Sequence, residues 1–216
     1  MKKYFISIIL LALAGSALIG CKSKEEKAAD LIKQELSKTL YDFESYKPIE
    51  TTVKEAKANR YNDSICWKMG IVLAYGMQQV DEYIAEAKEA TEYMAIYMPS
   101  PYSSSYSNRK FYDYNKKYED AISNAKKGMD ACKELAGAIE DTIAKLDTSL
   151  VIGWEVFHDF RCKTKGGNPT IGHFRYVISK DFKSVILRED MEGLFDKRIR
   201  EALKNIETDW KEKNSN

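Results

Sequence analysis

The stretch from Ser149 to Arg188, SLVIGWEVFHDFRCKTKGGNPTIGHFRYVISKDFKSVILR, decides the fold. Val, Ile, Phe, Tyr and Trp fill three runs, while Gly166-Gly167-Asn168 and Lys180-Asp181 supply turn chemistry between them, so a three-stranded antiparallel meander is predicted. In the first run the even positions Trp154, Val156, His158, Phe160 and Cys162 are mostly apolar, against charged Glu155, Asp159 and Arg161. In the second, Phe174, Tyr176 and Ile178 form the apolar set, against His173 and Arg175. Both apolar sets must face one core, so even positions pair with even. A turn centred on Gly167 meets this condition and sets Asp159 opposite Arg175, Arg161 opposite His173, and His158 beside Tyr176.

Two chemical readings of these strands follow. His158 and His173 point to opposite faces, so His158, His173 and Cys162 cannot converge on one ion and no metal site is expected. His158 is read as a core-side histidine bonded to a neighbour, and Asp159, Arg161 and Arg175 as cross-strand charges on a wetter face. Arg161, His173 and Arg175 remain a candidate site for a small anion.

Two segments carry a resemblance: LYDFESYKPIE at residues 40–50 and GWEVFHDFRCKTKGGN at 153–168. Together they resemble an uncharacterised family of Bacteroidetes lipoproteins with a D-P-x-S-Y-x-P-I segment and a V-x-H-x-Y-R-A-K-N-x-x-G-G segment. Asp42, Ser45, Tyr46, Pro48, Ile49, Val156, His158, Arg161, Lys163, Gly166 and Gly167 match, while Phe43 replaces the family's Pro and Thr164 its Asn. The resemblance covers roughly a third of the mature chain and implies a shared small α+β module and a bacterial source, without an activity.

The N-terminus reads as an address. Lys2 and Lys3 precede an apolar run, Tyr4 to Ile19, that ends in Leu18-Ile19-Gly20-Cys21, the pattern of a bacterial lipobox. The run is too short for a comfortable membrane span. Residues 1–20 are therefore expected to be a cleaved signal peptide, Cys21 a lipid anchor to the membrane, and residues 21–27 a tether. Lys22–Lys27, KSKEEK, resembles the charged signal that exports Bacteroidetes lipoproteins to the cell surface. The expected location is the cell envelope, lipid-anchored at the outer membrane, on its surface face where that signal acts.

Cleavage removes two lysines and no acid, so the formal charge falls from +1 to −1. A near-neutral chain has no electrostatic footprint for nucleic acid and gives no reason to expect strong attraction to an anionic membrane surface. Cys66, Cys132 and Cys162 remain, an odd number that argues against a disulfide framework.

Glu25 to Leu40 has a helical apolar stripe, and Pro48 favours extended backbone before it, so a strand is expected near 46–53. Between that strand and the meander, Met69, Leu73, Gly76, Val80, Tyr83, Ala87, Ala90 and Met94 follow heptad spacing. So do Phe111, Tyr114, Tyr118, Ala121, Ala125, Gly128, Cys132, Leu135, Ile139, Thr142 and Leu146. Two such helices joined by a Pro/Ser segment fold back as an antiparallel coiled-coil hairpin. Asn62 or Asp63 is expected to cap the first helix, and Ser107 or Asn108 the second. Met191 to Trp210 reads as a terminal amphipathic helix with Asp190 as its cap, followed by a disordered tail from Lys211. The expected architecture is α+β, with residues 28–62 and 148–210 as a small domain and 63–147 as the inserted hairpin.

Seven of the chain's fourteen tyrosines fall between Tyr93 and Tyr118. Tyr97, Tyr102, Tyr106 and Tyr112 lie at or beside the helix break, where PSPYSSSYS mixes Tyr with Ser in the manner of adaptable contact surfaces. They are the candidate binding residues for a protein or glycan partner, weighed against simple closure of the coiled-coil end. No Ser/His/Asp elbow, phosphate loop or metal-ligand spacing is present, so neither catalysis nor a cofactor is expected. The functional expectation is an envelope-anchored binding or structural module. The alternatives are a lipoprotein that binds small anions or glycans, or a hydrolase without a familiar motif.

Overall fold

A computed structural model describes residues 22–214, with side chains through 206; the expected signal peptide (1–20) and the expected lipid anchor Cys21 lie outside the described residues. The described chain is α+β, with four helices and a four-stranded antiparallel sheet of order β1-β2-β3-β4. The helices are α1 (Lys24–Thr39), α2 (Ser64–Ile96), α3 (Ser105–Ala144) and α4 (Leu194–Asn214). The strands are β1 (Asp42–Lys57), β2 (Val151–Lys163), β3 (Pro169–Ser179) and β4 (Val185–Asp190). The chain divides into two compact units, residues 1–55 with 153–185 and residues 56–152 with 186–216.

In the first unit, α1 begins at Lys24, so residues 24–27 of the expected tether 21–27 are its first turn. Ser23 explains the early start. Its Oγ accepts the Glu26 N–H at 3.1 Å, and the Glu26 carboxylate accepts the Ser23 N–H at 2.8 Å, a reciprocal capping box. The helix buries Ala28, Leu31, Ile32 and Leu36 against Val156, Phe160, Cys162, Tyr176 and Ile178 of the sheet. Each buried Leu or Ile contributes about 2 kcal/mol relative to exposure.

The parity of the β2–β3 pairing is the expected one, but the register differs by two residues. His158 lies opposite Phe174, Asp159 opposite His173, Phe157 opposite Arg175 and Arg161 opposite Ile171. The cause is Gly167, which occupies the left-handed position (φ +80°) ending a three-residue loop and not its centre. The Gly167 N–H donates to the Thr164 carbonyl at 2.8 Å and the Thr164 N–H to the Asn168 carbonyl at 2.9 Å. A turn followed by a left-handed glycine is the usual three-residue hairpin. The step of two keeps every side chain on its expected face.

The face expected to be wet is partly dry. Val177 is fully buried and Arg175 is 2% exposed. The Arg175 Nε donates to Glu155 Oε1 at 2.8 Å, and Lys54 Nζ lies 2.8 Å from Glu155 Oε2, so the buried guanidinium has its counter-charge.

β1 is twice the expected length. Its apolar residues against the core, Phe43, Tyr46 and Val53, do not share one parity, so alternation does not reveal the whole strand. The turn after β3 also runs longer than Lys180-Asp181, and β4 begins at Val185. Ser179 organises that turn, its Oγ donating to Asp181 Oδ1 at 2.7 Å and accepting the N–H groups of Lys183 and Ser184.

In the second unit, α2 and α3 form the expected antiparallel hairpin. Asp63 caps α2, accepting the N–H groups of Ile65 and Cys66, while Asn62 is buried and ties the Lys57 carbonyl at 3.0 Å. Ser104 caps α3 through the Ser107 N–H, three residues before the expected Ser107. Leu73, Val80, Ala87 and Ala90 are buried on one helix and Ala121, Ala125 and Ile139 on the other. Two glycines let the helices approach. A Cβ at Gly76 would lie 2.9 Å from Cys132 Sγ, and one at Gly128 2.8 Å from Val80 Cγ2. Cys132 thus faces Gly76, ten residues and roughly 15 Å along the helix from Cys66, and the three described cysteines are free thiols.

The C-terminal helix packs on the base of the hairpin. Ile199 and Leu203 lie against Gly70, and the Phe195 ring is 4.4 Å from that of Tyr75. Asp190 does not cap this helix. It turns the chain before it, accepting the Glu192 and Gly193 N–H groups, and the helix continues to Asn214 through the expected tail.

Candidate functional site at the hairpin tip

The end of the hairpin divides its tyrosines into two kinds. Tyr93, Tyr97 and Tyr114 stack, with centroids 4.6 Å apart for Tyr93–Tyr114 and 5.9 Å for Tyr97–Tyr114 and planes within 9°. Lys117 Nζ lies 5.2 Å from the Tyr114 ring. These rings close the coiled coil, so Tyr97 is an end-packing residue as well as a candidate contact. Tyr106 is intermediate in role, edge-on to Tyr97 at 6.4 Å with Lys110 Nζ 5.8 Å from its ring. Tyr102 and Tyr112 are different, 97% and 67% exposed.

Local chemistry explains Tyr102. Ser100-Pro101-Tyr102-Ser103 is a tight turn, with the Ser103 N–H donating to the Ser100 carbonyl at 3.0 Å and the Ser100 N–H to Ser103 Oγ at 2.7 Å. Proline presets the first corner, which places Tyr102 at the second, pointing to solvent from a fixed loop. Ile96 and Met98 beside it are also strongly exposed. Sequence reasoning missed this pair because Ile96 and Met98 continue the apolar composition of α2. Only the helix stop after Ile96 leaves them without a facing turn of α3.

The second candidate, Arg161, His173 and Arg175, shares one face of the β2–β3 pair. His173 Nδ1 lies 3.0 Å from Asp159 Oδ1, Arg175 is bound to Glu155, and Arg161 is exposed. Two of the three side chains therefore already hold a carboxylate of the chain. Among the described residues no group of three or more His, Cys, Asp and Glu side chains could hold a metal ion.

His158 is the most buried polar group of the first unit. Its Nε2 is 2.9 Å from Tyr46 Oη and its Nδ1 2.8 Å from Thr51 Oγ1, so both ring nitrogens are partnered by hydroxyls of β1. Burial holds its pKa down to about 4 despite nearby Asp159, and burial raises that of Tyr46. Ser45 completes the link, its Oγ accepting the Lys163 N–H at 2.8 Å. The two segments that carried the family resemblance thus meet and lock β1 onto β2. The hydroxyl partners, Tyr46 and Thr51, were hidden from the sequence because they come from a strand more than a hundred residues away.

No described helix is long and apolar enough to cross a membrane. In comparisons with known protein families, curated proteins and solved structures, this chain matches none.

Proposed function

We propose that this chain is a lipid-anchored envelope protein, of the Bacteroidetes lipoprotein kind that its two segments resemble, which binds a protein partner through the end of its α2–α3 hairpin and catalyses no reaction. The observation that carries the reading is Tyr102, almost wholly exposed at the corner of a turn held by two hydrogen bonds. Fixing the backbone of a binding loop in advance lowers the entropy cost of binding, and tyrosine is enriched where interfaces take most of their energy. Exposed Ile96 and Met98 favour a protein surface over a glycan, because sugar sites pair aromatic faces with polar groups and not with aliphatic ones.

A photo-crosslinking residue at position 98, in intact cells, should give a discrete protein adduct. Tyr102→Ser with Tyr112→Ser should lower its yield about tenfold, the equivalent of ~1.4 kcal/mol. Adducts equally abundant in that double variant, or equally abundant from a probe at exposed Tyr41, would sink the reading.

A further inference from the structure

The first unit carries an aromatic and cationic stack at the start of α1. Trp154 and Phe182 lie face to face, centroids 5.6 Å apart with planes within 18°. Lys24 Nζ is 3.9 Å from the centre of the Trp154 ring and Lys27 Nζ 5.9 Å from that of Phe182. The indole N–H donates to the Lys180 carbonyl at 3.1 Å, which pins the ring to the β3–β4 turn. Phe182 holds a left-handed backbone (φ 59°), a conformation that costs a residue with a Cβ about 1 kcal/mol or more. Both rings pack by one side against the core of the first unit and remain partly exposed.

The described chain begins at Lys22, two residues before Lys24, whose ammonium lies on this stack. Residue 22 is the first described and Ser23 already caps α1 through its reciprocal box, so no slack separates position 21 from the helix. Two extended residues span at most about 7 Å. If position 21 bears the lipid, the first turn of α1 is held at the bilayer surface, and with it whatever Lys24 and Lys27 touch. The groups gathered there are those of a membrane interface. A tryptophan and a phenylalanine offer apolar area at headgroup depth, and Lys22, Lys24, Lys27, Lys180 and Lys183 surround them, against the acids Glu25, Glu26, Asp30 and Asp181. Lys22 is paired with Asp30 and Lys183 lies 3.5 Å from Asp181, which leaves Lys24, Lys27 and Lys180 against Glu25 and Glu26, a net positive charge of one.

We propose that Trp154 and Phe182, flanked by Lys24, Lys27 and Lys180, form a membrane-surface contact that seats the first unit on an anionic bilayer. The contact rests on the lipid-anchor reading of Cys21, and it goes beyond it: the anchor would orient the module and not merely retain it. Lysines near an anionic surface each add about 1 kcal/mol of attraction, falling off within a Debye length.

The test uses the mature protein extracted from envelopes, with Trp67→Phe and Trp210→Phe leaving Trp154 as the fluorophore, in vesicles about one quarter phosphatidylglycerol. A spin label on the upper acyl chain should quench Trp154 emission about twofold, as for an indole at the interface. Lys24→Glu with Lys27→Glu should abolish most of that quenching while leaving the melting temperature near that of the parent. Intact mass of the same sample reports the acyl groups. An acylated protein whose Trp154 is quenched no more than that of the chain lacking residues 1–21 overturns the contact. Unacylated Cys21 overturns the anchor reading instead, and with it the contact.

Discussion

At the scale of single residues, His158 has the sharpest consequence. It is fully buried between two hydroxyls, and its pKa is held down to about 4, below the ordinary value of 6.5. The folded state therefore binds fewer protons than the unfolded state wherever the unfolded imidazole is charged. Stability from this group is complete above pH 6.5 and is lost progressively as pH falls toward 4, by at most about 3 kcal/mol. Urea unfolding at pH 7 and pH 4.5 should show that loss, and His158→Gln should be less stable at pH 7 but flatter across the window. An unchanged slope in the variant would assign the acid sensitivity to other groups. That His158 faces the core was legible from its even position between Val156 and Phe160. Its partners were not, because hydrogen bonds to β1 depend on a pairing distant in sequence.

At the scale of elements, the hairpin shows which glycines pack and which do not. Gly137 has nothing within 4 Å of an added Cβ, whereas Gly128 would press its Cβ against Val80 Cγ2 at 2.8 Å. Both are mid-helix, where alanine is better than glycine by about 1 kcal/mol. Gly137→Ala should therefore stabilise by up to that amount. Gly128→Ala should lose up to about 2 kcal/mol net, since branched Val80 has little freedom to yield. Thermal melts of the two variants check the pair, and equal shifts would mean that the seam is loose at Gly128. Heptad spacing made both helices legible, because one buried stripe recurs along their length. Spacing placed Gly128 on that stripe and Gly137 off it, but not the residue that Gly128 meets, since facing residues depend on where the turn falls and the start of α3 at Ser105 sets it.

At the scale of the whole molecule, the described chain comprises a sheet unit that opens with α1 and a helical unit whose hairpin ends in exposed tyrosines, and the proposed anchor at Cys21 would precede α1. Protein extracted from envelopes should have a mass that lacks residues 1–20 and includes acyl groups on Cys21. A bare cysteine or an uncleaved leader in that spectrum would remove the anchored reading. The α+β class, the faces on which the β2 and β3 residues lie and the existence of the hairpin were determined by sequence alone, because local periodicity encodes them. Three features were decided only by the tertiary structure: the two-residue register step at Gly167, the meeting of Tyr46 and Thr51 on His158, and the split of the tip tyrosines into stacked and exposed sets. Each depends on contacts between segments far apart in the chain, and pattern within a segment carries no record of which neighbour closes over it.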